Sequence, residues 1–194
     1  MLLAGVDEVG RGCWAGPLVA GVVIMPENFR SEDGPLKLRD SKKMSQKQRD
    51  SAATFIHEYA LAVGLGWVWP EELDISGITL AVKMAMERAL AEITTPYDEL
   101  IIDGNFNFFP DNTKAKAIIK ADDIVPAVSA ASIVAKVARD NYMHEISLKY
   151  PVYGFEKHVG YGTALHLAAL KEFGICELHR TSYKPIKKIM EQFA

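Results

Sequence analysis

The chain has 194 residues, 49% of them apolar and 24% charged, the balance of a water-soluble globular protein that can bury a real core. Two cysteines, Cys13 and Cys176, far apart and without CxxC spacing, argue against a disulfide framework or a zinc site. The formal charge of −3 argues against a uniformly basic nucleic-acid binder, although phosphate binding needs only a local basic patch.

The longest apolar runs, such as Val19 to Met25, are too short to cross a bilayer. The opening MLLAGVDE has neither the basic segment nor the small-residue cleavage site of a signal peptide, so a cytoplasmic location is expected. Leu2 to Asp7 reads as a first strand, apolar enough to be covered on both faces. The turn-rich GRGCWAGP follows, then a valine-rich second strand from Leu18 to Met25. Residues 26–44 form a polar loop, and Ser45 is placed to cap a helix running to Tyr59. Ala62 to Val68 is a third strand. Ser76 is expected to cap a long amphipathic helix, GITLAVKMAMERALAEI. Glu99 to Asp103 and Ala115 to Lys120 are a fourth and a fifth strand. Pro126 opens a helix expected to reach Tyr150, and shorter helices are expected at Thr163 to Phe173 and after Pro185. This order describes an α/β domain with one mixed sheet, its first two strands an antiparallel hairpin and its later ones parallel.

Acids mark the strand ends. Asp7 and Glu8 close the first strand, Asp103 the fourth, and Asp122 lies just past the fifth. In open α/β sheets functional groups gather beyond the carboxyl ends of parallel strands, so these acids can converge. Converging carboxylates repel unless a cation lies between them, and oxygen-only ligands favour Mg²⁺ or Mn²⁺ over zinc. Side chains alternate along a strand, so Asp7 and Glu8 should face opposite ways. Asp7 is therefore expected as a side-chain ligand, with Glu8 acting less directly. Asp122 and Asp123 precede a helix, where either could equally be a cap.

The stretch GVDEVGRGCWAGPLVAGVVI (Gly5 to Ile24) resembles the opening signature of the ribonuclease HII family. DSKKMS (Asp40 to Ser45), IIDGN (Ile101 to Asn105), AASIVAKVARDNYM (Ala130 to Met143), GYGT (Gly160 to Thr163) and HRTSY (His179 to Tyr183) resemble further family motifs, in the family's order. The resemblance implies a ribonuclease H-like fold over residues 1–194: a mixed five-stranded sheet flanked by helices, with a helical C-terminal extension over about 151–194. It puts the family's catalytic, metal-binding acids on Asp7, Glu8, Asp103 and Asp122. The family usually has glycine before the last acid, whereas this chain has Ala121, and a shift of one residue would put Asp123 there instead.

The activity so implied is endonucleolytic. It hydrolyses the phosphodiester 5′ of a ribonucleotide, in RNA/DNA hybrids and in duplex DNA with embedded ribonucleotides, as ribonucleotide excision repair requires. The products are a 3′ hydroxyl and a 5′ phosphate, and two Mn²⁺ or Mg²⁺ ions take part. Such an enzyme must sense the 2′ hydroxyl. Gly10, Arg11 and Gly12 suit this, because the glycines let the backbone approach a sugar. Arg11 could also hold a phosphate. Tyr161 matches the family tyrosine that packs on the nucleotide after the ribonucleotide. Lys42, Lys43, Arg139, His179 and Arg180 are candidate phosphate contacts.

Val159 and Ala164 stand where the family often has lysine, which should weaken phosphate binding. No aromatic pair of the kind that docks on a sliding clamp is evident near the C-terminus, and a monomer with no membrane partner is expected. His57, His144, His158 and His166 are assigned no role. The related ribonuclease HIII type is disfavoured by the GRG arginine, and no GK[ST] follows GRGCWAGP to make a P-loop.

Overall fold

The computed structural model describes residues 1–30, 32, 41 and 44–193. Five strands, β1 (Leu3–Val9), β2 (Leu18–Ile24), β3 (Ala62–Val68), β4 (Glu99–Asp103) and β5 (Ala115–Ile118), form one sheet in the order β3-β2-β1-β4-β5. β1 pairs antiparallel with β2, and β2 with β3, while β4 runs parallel to both β1 and β5. The hairpin and the parallel half are as the sequence predicts. β2 is buried along its whole length, as a valine-rich central strand should be.

The two faces of the sheet carry different helices. Ala4, Val6, Val22, Leu100 and Ile102 pack under α3 (Ile78–Ala91) through Ala81, Val82, Ala85 and Ala89. The opposite face carries α1 (Gln46–Tyr59) and α5 (Pro126–Ser147), with Val23, Ile56, Ala130 and Ile133 between them. Alternation along β1 turns Gly5 and Asp7 towards α5. A methyl group on Gly5 would lie 2.2 Å from the Ala127 carbonyl carbon, so glycine is required for α5 to rest on the strand. That close approach carries the small polar residues of α5 to the strand ends where the acids sit.

Past α5 the chain forms a 3₁₀ turn at Pro151–Tyr153, then α6 (Phe155–His158), α7 (Ala164–Phe173) and α8 (Lys184–Phe193). Phe155, Leu170, Leu178, Ile186 and Ile189 make a separate apolar cluster there, joined by Met143 of α5 and Ala15 of the β1–β2 connection. This C-terminal lobe therefore packs on the connection that contains the GRG turn.

Three local expectations are corrected. Ser76 does not cap the long helix: it ends a short α2 (Pro70–Ser76), and its hydroxyl donates to the Glu72 carbonyl. Pro70 at the first helical position and the Glu72 carboxylate accepting the Trp69 amide start that helix. The fifth strand stops at Ile118, because Lys120 adopts a left-handed conformation before α4 (Ala121–Ile124). The long helix ends at Ser147 rather than Tyr150. Among the described residues no helix is long and apolar enough to cross a membrane.

Candidate active site

Asp7, Asp103 and Asp122 each offer a carboxylate oxygen within 4.8 Å of the others. Three elements bring them there: the end of β1, the end of the parallel neighbour β4, and the first turn of α4. The Asp122 amide donates to Asp103 Oδ1 (3.4 Å), and Ser129 of α5 donates to the Asp122 carbonyl (2.6 Å), which fixes the short helix against the strand ends. Asp122, not Asp123, belongs to this group, so of the two alternatives left by the sequence the geometry favours the first.

The group is electrostatically unfavourable on its own. Burial pushes the Asp7 carboxyl up to about 8, the neighbouring Glu8 and Asp103 charges add to the shift, and the Ser132 hydroxyl beside it pulls the other way. Ser132 in turn shares a buried hydrogen bond (3.0 Å) with Ser41 of the DSKKMS segment. Three carboxylates, those of Asp7 and Asp122 buried and that of Asp103 partly so, offer only oxygen donors and fit a hard divalent cation, whose bound oxygens lie about 3–4 Å apart, within reach of small side-chain rotations.

Glu8 is not in the trio. As the alternation of β1 requires, it lies to the other side and lines a cleft of about 440 Å³ with Arg11, Thr79, Asp103, Gly104, Asn105 and Phe106. Asp103 thus borders both the trio and the cleft. Arg11 is exposed on the turn after β1, its guanidinium 3.6 Å from the Glu8 carboxylate. A larger hollow, about 610 Å³, is lined by Glu71, Asp74, Cys176 and His179 and shares no residue with this cleft; size alone does not mark the chemistry.

Gly10 has φ of +86°, and a methyl group there would meet the Arg139 side chain at 2.3 Å, so both conformation and space demand glycine. Tyr161 sits between α6 and α7, half exposed. The Lys136 ammonium lies 5.4 Å and the Arg139 guanidinium 5.9 Å from its ring centre. Burial, and next the Cys13 thiol, push its phenol up to about 12, which keeps it neutral.

Two arginines expected on phosphate are instead fully buried. Arg139 donates to the carbonyls of Pro17 (2.8 Å), Val159 (2.8 Å) and Ala15 (3.0 Å). Arg180 donates to Gly16 O through Nε (3.0 Å) and Nη2 (2.8 Å), and through Nη1 to Arg11 O and the Tyr183 hydroxyl (both 3.1 Å). A guanidinium taken out of water needs several acceptors at once, and backbone carbonyls of two turns supply them. The third candidate, His179, is buried among rings. Lys42 and Lys43 lie outside the described residues. The roles of Ser129 and Ser132 went unread in the sequence; two small hydroxyls three apart on an alanine-rich helix were the available signal.

The ribonuclease HII family model matches residues 4–186. A ribonuclease HII of Dichelobacter nodosus is 44% identical over 98% of this chain and 98% of its own. The crystal structure of ribonuclease H2 from Pyrococcus horikoshii superposes with a TM-score of 0.82 at 28% identity, covering 100% of this chain and 99% of that one. The Archaeoglobus fulgidus RNase HII, solved as a complex with PCNA, gives 0.81 at 27% identity, over 95% of this chain and 96% of that one. With carboxylates gathered at the ends of parallel strands and a glycine-flanked arginine beside them, this chain belongs to the ribonuclease HII family.

Proposed function

We propose that this metal-dependent ribonuclease H endonuclease cuts on the 5′ side of a ribonucleotide, in RNA/DNA hybrids and in duplex DNA carrying single ribonucleotides. The observation that carries the reading is the convergence of Asp7, Asp103 and Asp122 at the end of β1, the strand that leads directly into the GRG turn. Asp7, Asp103 and Asp122 would hold Mg²⁺ or Mn²⁺, with Glu8 completing the charge from the cleft side. Two such ions, when bound, supply an activated water and stabilise the leaving 3′ oxygen.

The chain's own residues do the rest. Asp7, whose carboxyl is raised mainly by burial, would be held as the carboxylate with a cation beside it, because the positive charge outweighs that burial and the acidic neighbours. Gly10 and Gly12 let the main chain reach a ribose and test for a 2′ hydroxyl by hydrogen bonding, a contact deoxyribose cannot return. Arg11, exposed and only loosely paired, is free to turn to a phosphate. The neutral face of Tyr161 packs on the following sugar, where an added 2′ hydroxyl would spoil the fit. Arg139 and Arg180 touch no substrate; they hold the turns on which Arg11 and Tyr161 stand. No side chain serves as a nucleophile.

The test uses end-labelled duplexes with one embedded ribonucleotide, all-DNA duplexes and RNA/DNA hybrids, each with Mg²⁺, Mn²⁺ or chelator, beside Asp103→Asn. Metal-dependent cutting 5′ of the single ribonucleotide, lost in the variant, is expected. Cutting confined to the hybrid would overturn the single-ribonucleotide reading.

A further inference from the structure

We propose that His158, His166 and His179 form a neutral hydrogen-bonded relay that positions the backbone of residues 160 and 161, and with it the Tyr161 ring, for substrate. The proposal rests on the reading of Tyr161 as a substrate contact. The three histidines, on α6, on α7 and before Thr181, are all buried, and none touches the carboxylates.

Their tautomers are assigned from the backbone amides that face them. His179 Nδ1 faces the Cys176 amide at 2.9 Å and the Cys176 carbonyl at 3.2 Å; the shorter contact is with the amide, which can only donate, so we assign that nitrogen as bare and the ring proton to Nε2. His179 Nε2 lies 3.0 Å from His166 Nε2, and one proton serves the pair, so His166 accepts there and carries its own proton on Nδ1. That Nδ1 is 3.0 Å from the Tyr161 carbonyl and donates to it. The Gly160 amide donates to His158 Nδ1 (3.2 Å), leaving His158 Nε2 to donate to the Tyr153 carbonyl (2.9 Å). Every ring nitrogen is matched with all three rings uncharged.

Two of these rings grip neighbouring groups of one short segment. His158 holds the Gly160 amide, His166 holds the Tyr161 carbonyl, and the two rings stack at 4.4 Å and 15°. The Gly160 carbonyl is held as well, by the Trp14 amide (2.8 Å). The segment needs holding: Val159 has φ of +43°, a conformation costly for a β-branched residue. Such strain persists only where the surroundings over-determine the backbone. Histidines are an expensive way to fill a core, and apolar side chains of the same volume would do it without requiring matched tautomers. What the rings add is directed hydrogen bonds to the backbone on either side of Tyr161.

The deciding experiment compares His166→Leu, His166→Asn and Tyr161→Ala in the full chain with Mn²⁺. Leucine keeps bulk and removes both hydrogen bonds, while asparagine keeps an N–H near the place of Nδ1. Amide hydrogen exchange is read by residue, and KM and kcat on the single-ribonucleotide duplex. In His166→Leu, exchange at Gly160 to Gly162 should quicken about tenfold with β1 and α5 unchanged. KM should rise about fivefold with kcat within about twofold, as expected for one lost positioning bond. His166→Asn should recover most of both. His179→Phe, which keeps a ring but removes one donor, gives the same direction with a smaller size should His166→Leu not fold. A folded His166→Leu with unchanged exchange at 160–162, or with exchange quickened throughout the protein, overturns the relay. If Tyr161→Ala leaves KM unchanged while the exchange result holds, the relay stands and the reading of Tyr161 as a substrate contact is what fails.

Discussion

The carboxylate centre and the histidine lobe solve opposite problems with ionisable groups. At the strand ends Asp7, Asp103 and Asp122 lie within 4.8 Å of one another, and Asp7 is held protonated up to about 8 by burial and by its acidic neighbours. In the lobe, burial pushes His166 and His179 down to about 4, and each ring nitrogen meets a partner of the right kind. One site is incomplete without a cation; the other is complete as it stands. The first can therefore do chemistry and the second can hold a shape. Arg139 and Arg180 join the second class, as buried charges committed to backbone carbonyls.

Breaking the first site should have the largest effect. Asp7→Asn is expected to lower cleavage by on the order of a thousandfold or more, because a ligand to the ions is lost. The same change should stabilise the metal-free protein at neutral pH, since the fold no longer has to take up a proton to bury residue 7. Cleavage assays with calorimetric melting in chelator read both. A variant that cuts within about tenfold of the parent, or that melts lower without metal, would remove Asp7 from the centre.

Next in size is Arg139→Met, which leaves the carbonyls of Ala15, Pro17 and Val159 without their buried donor. A loss of about 3–5 kcal/mol is expected, measured by urea unfolding. Arg11→Ala, by contrast, removes an exposed, loosely paired side chain and should leave stability unchanged while weakening substrate binding. Equal destabilisation by the two would erase the distinction between holding and contacting arginines.

That distinction marks where sequence reading stops. The alternation of β1 was enough to separate Asp7 from Glu8, and the hairpin, the parallel half of the sheet and the Pro126 helix start all followed from local pattern. Gly10 was legible as a turn residue, because a chain that turns tightly after a strand needs a left-handed position there. The burial of Arg139 and Arg180 could not be read in the sequence, because a cation in a motif looks the same whether it points to solvent or inward. Which it does is decided by carbonyls of the β1–β2 connection, more than a hundred positions away. The histidines at 158, 166 and 179 share no helical or strand period, so nothing short of the fold could group them.

The two sites should also answer pH in opposite senses. Asp7 is raised in the fold, so its contribution to metal-free stability is full below about 4 and lost as pH rises towards about 8. His166 and His179 are lowered, so theirs is full above about 6.5 and lost as pH falls towards about 4. The Glu156 carboxylate beside His158 opposes the fall for that ring alone. The Asp7 shift carries on the order of 6 kcal/mol across its window, and each histidine shift on the order of 3 kcal/mol. Melting from pH 4 to 9 in chelator should show Asp7→Asn flattening the alkaline limb and His166→Leu the acid one. Divalent cation should restore the alkaline limb only, with its affinity rising up to about tenfold per pH unit below 8 as Asp7 releases its proton. A metal affinity flat between pH 6 and 8 would contradict the raised Asp7.

As at Arg11, little change in stability is expected at Gly12, and it sharpens the comparison most. A methyl group at Gly12 meets nothing within 4 Å, whereas at Gly10 it meets Arg139 in a backbone conformation that suits only glycine. Gly10→Ala should therefore destabilise the fold and disturb the turn, so any loss of activity there is ambiguous. Gly12→Ala should change stability by less than about 0.5 kcal/mol. If the open side of Gly12 is where a ribose approaches, the added methyl must still raise KM for the single-ribonucleotide duplex, with metal binding unaltered. Unchanged KM in a protein of unchanged stability would mean that the sugar is read from Gly10 and Arg11 alone.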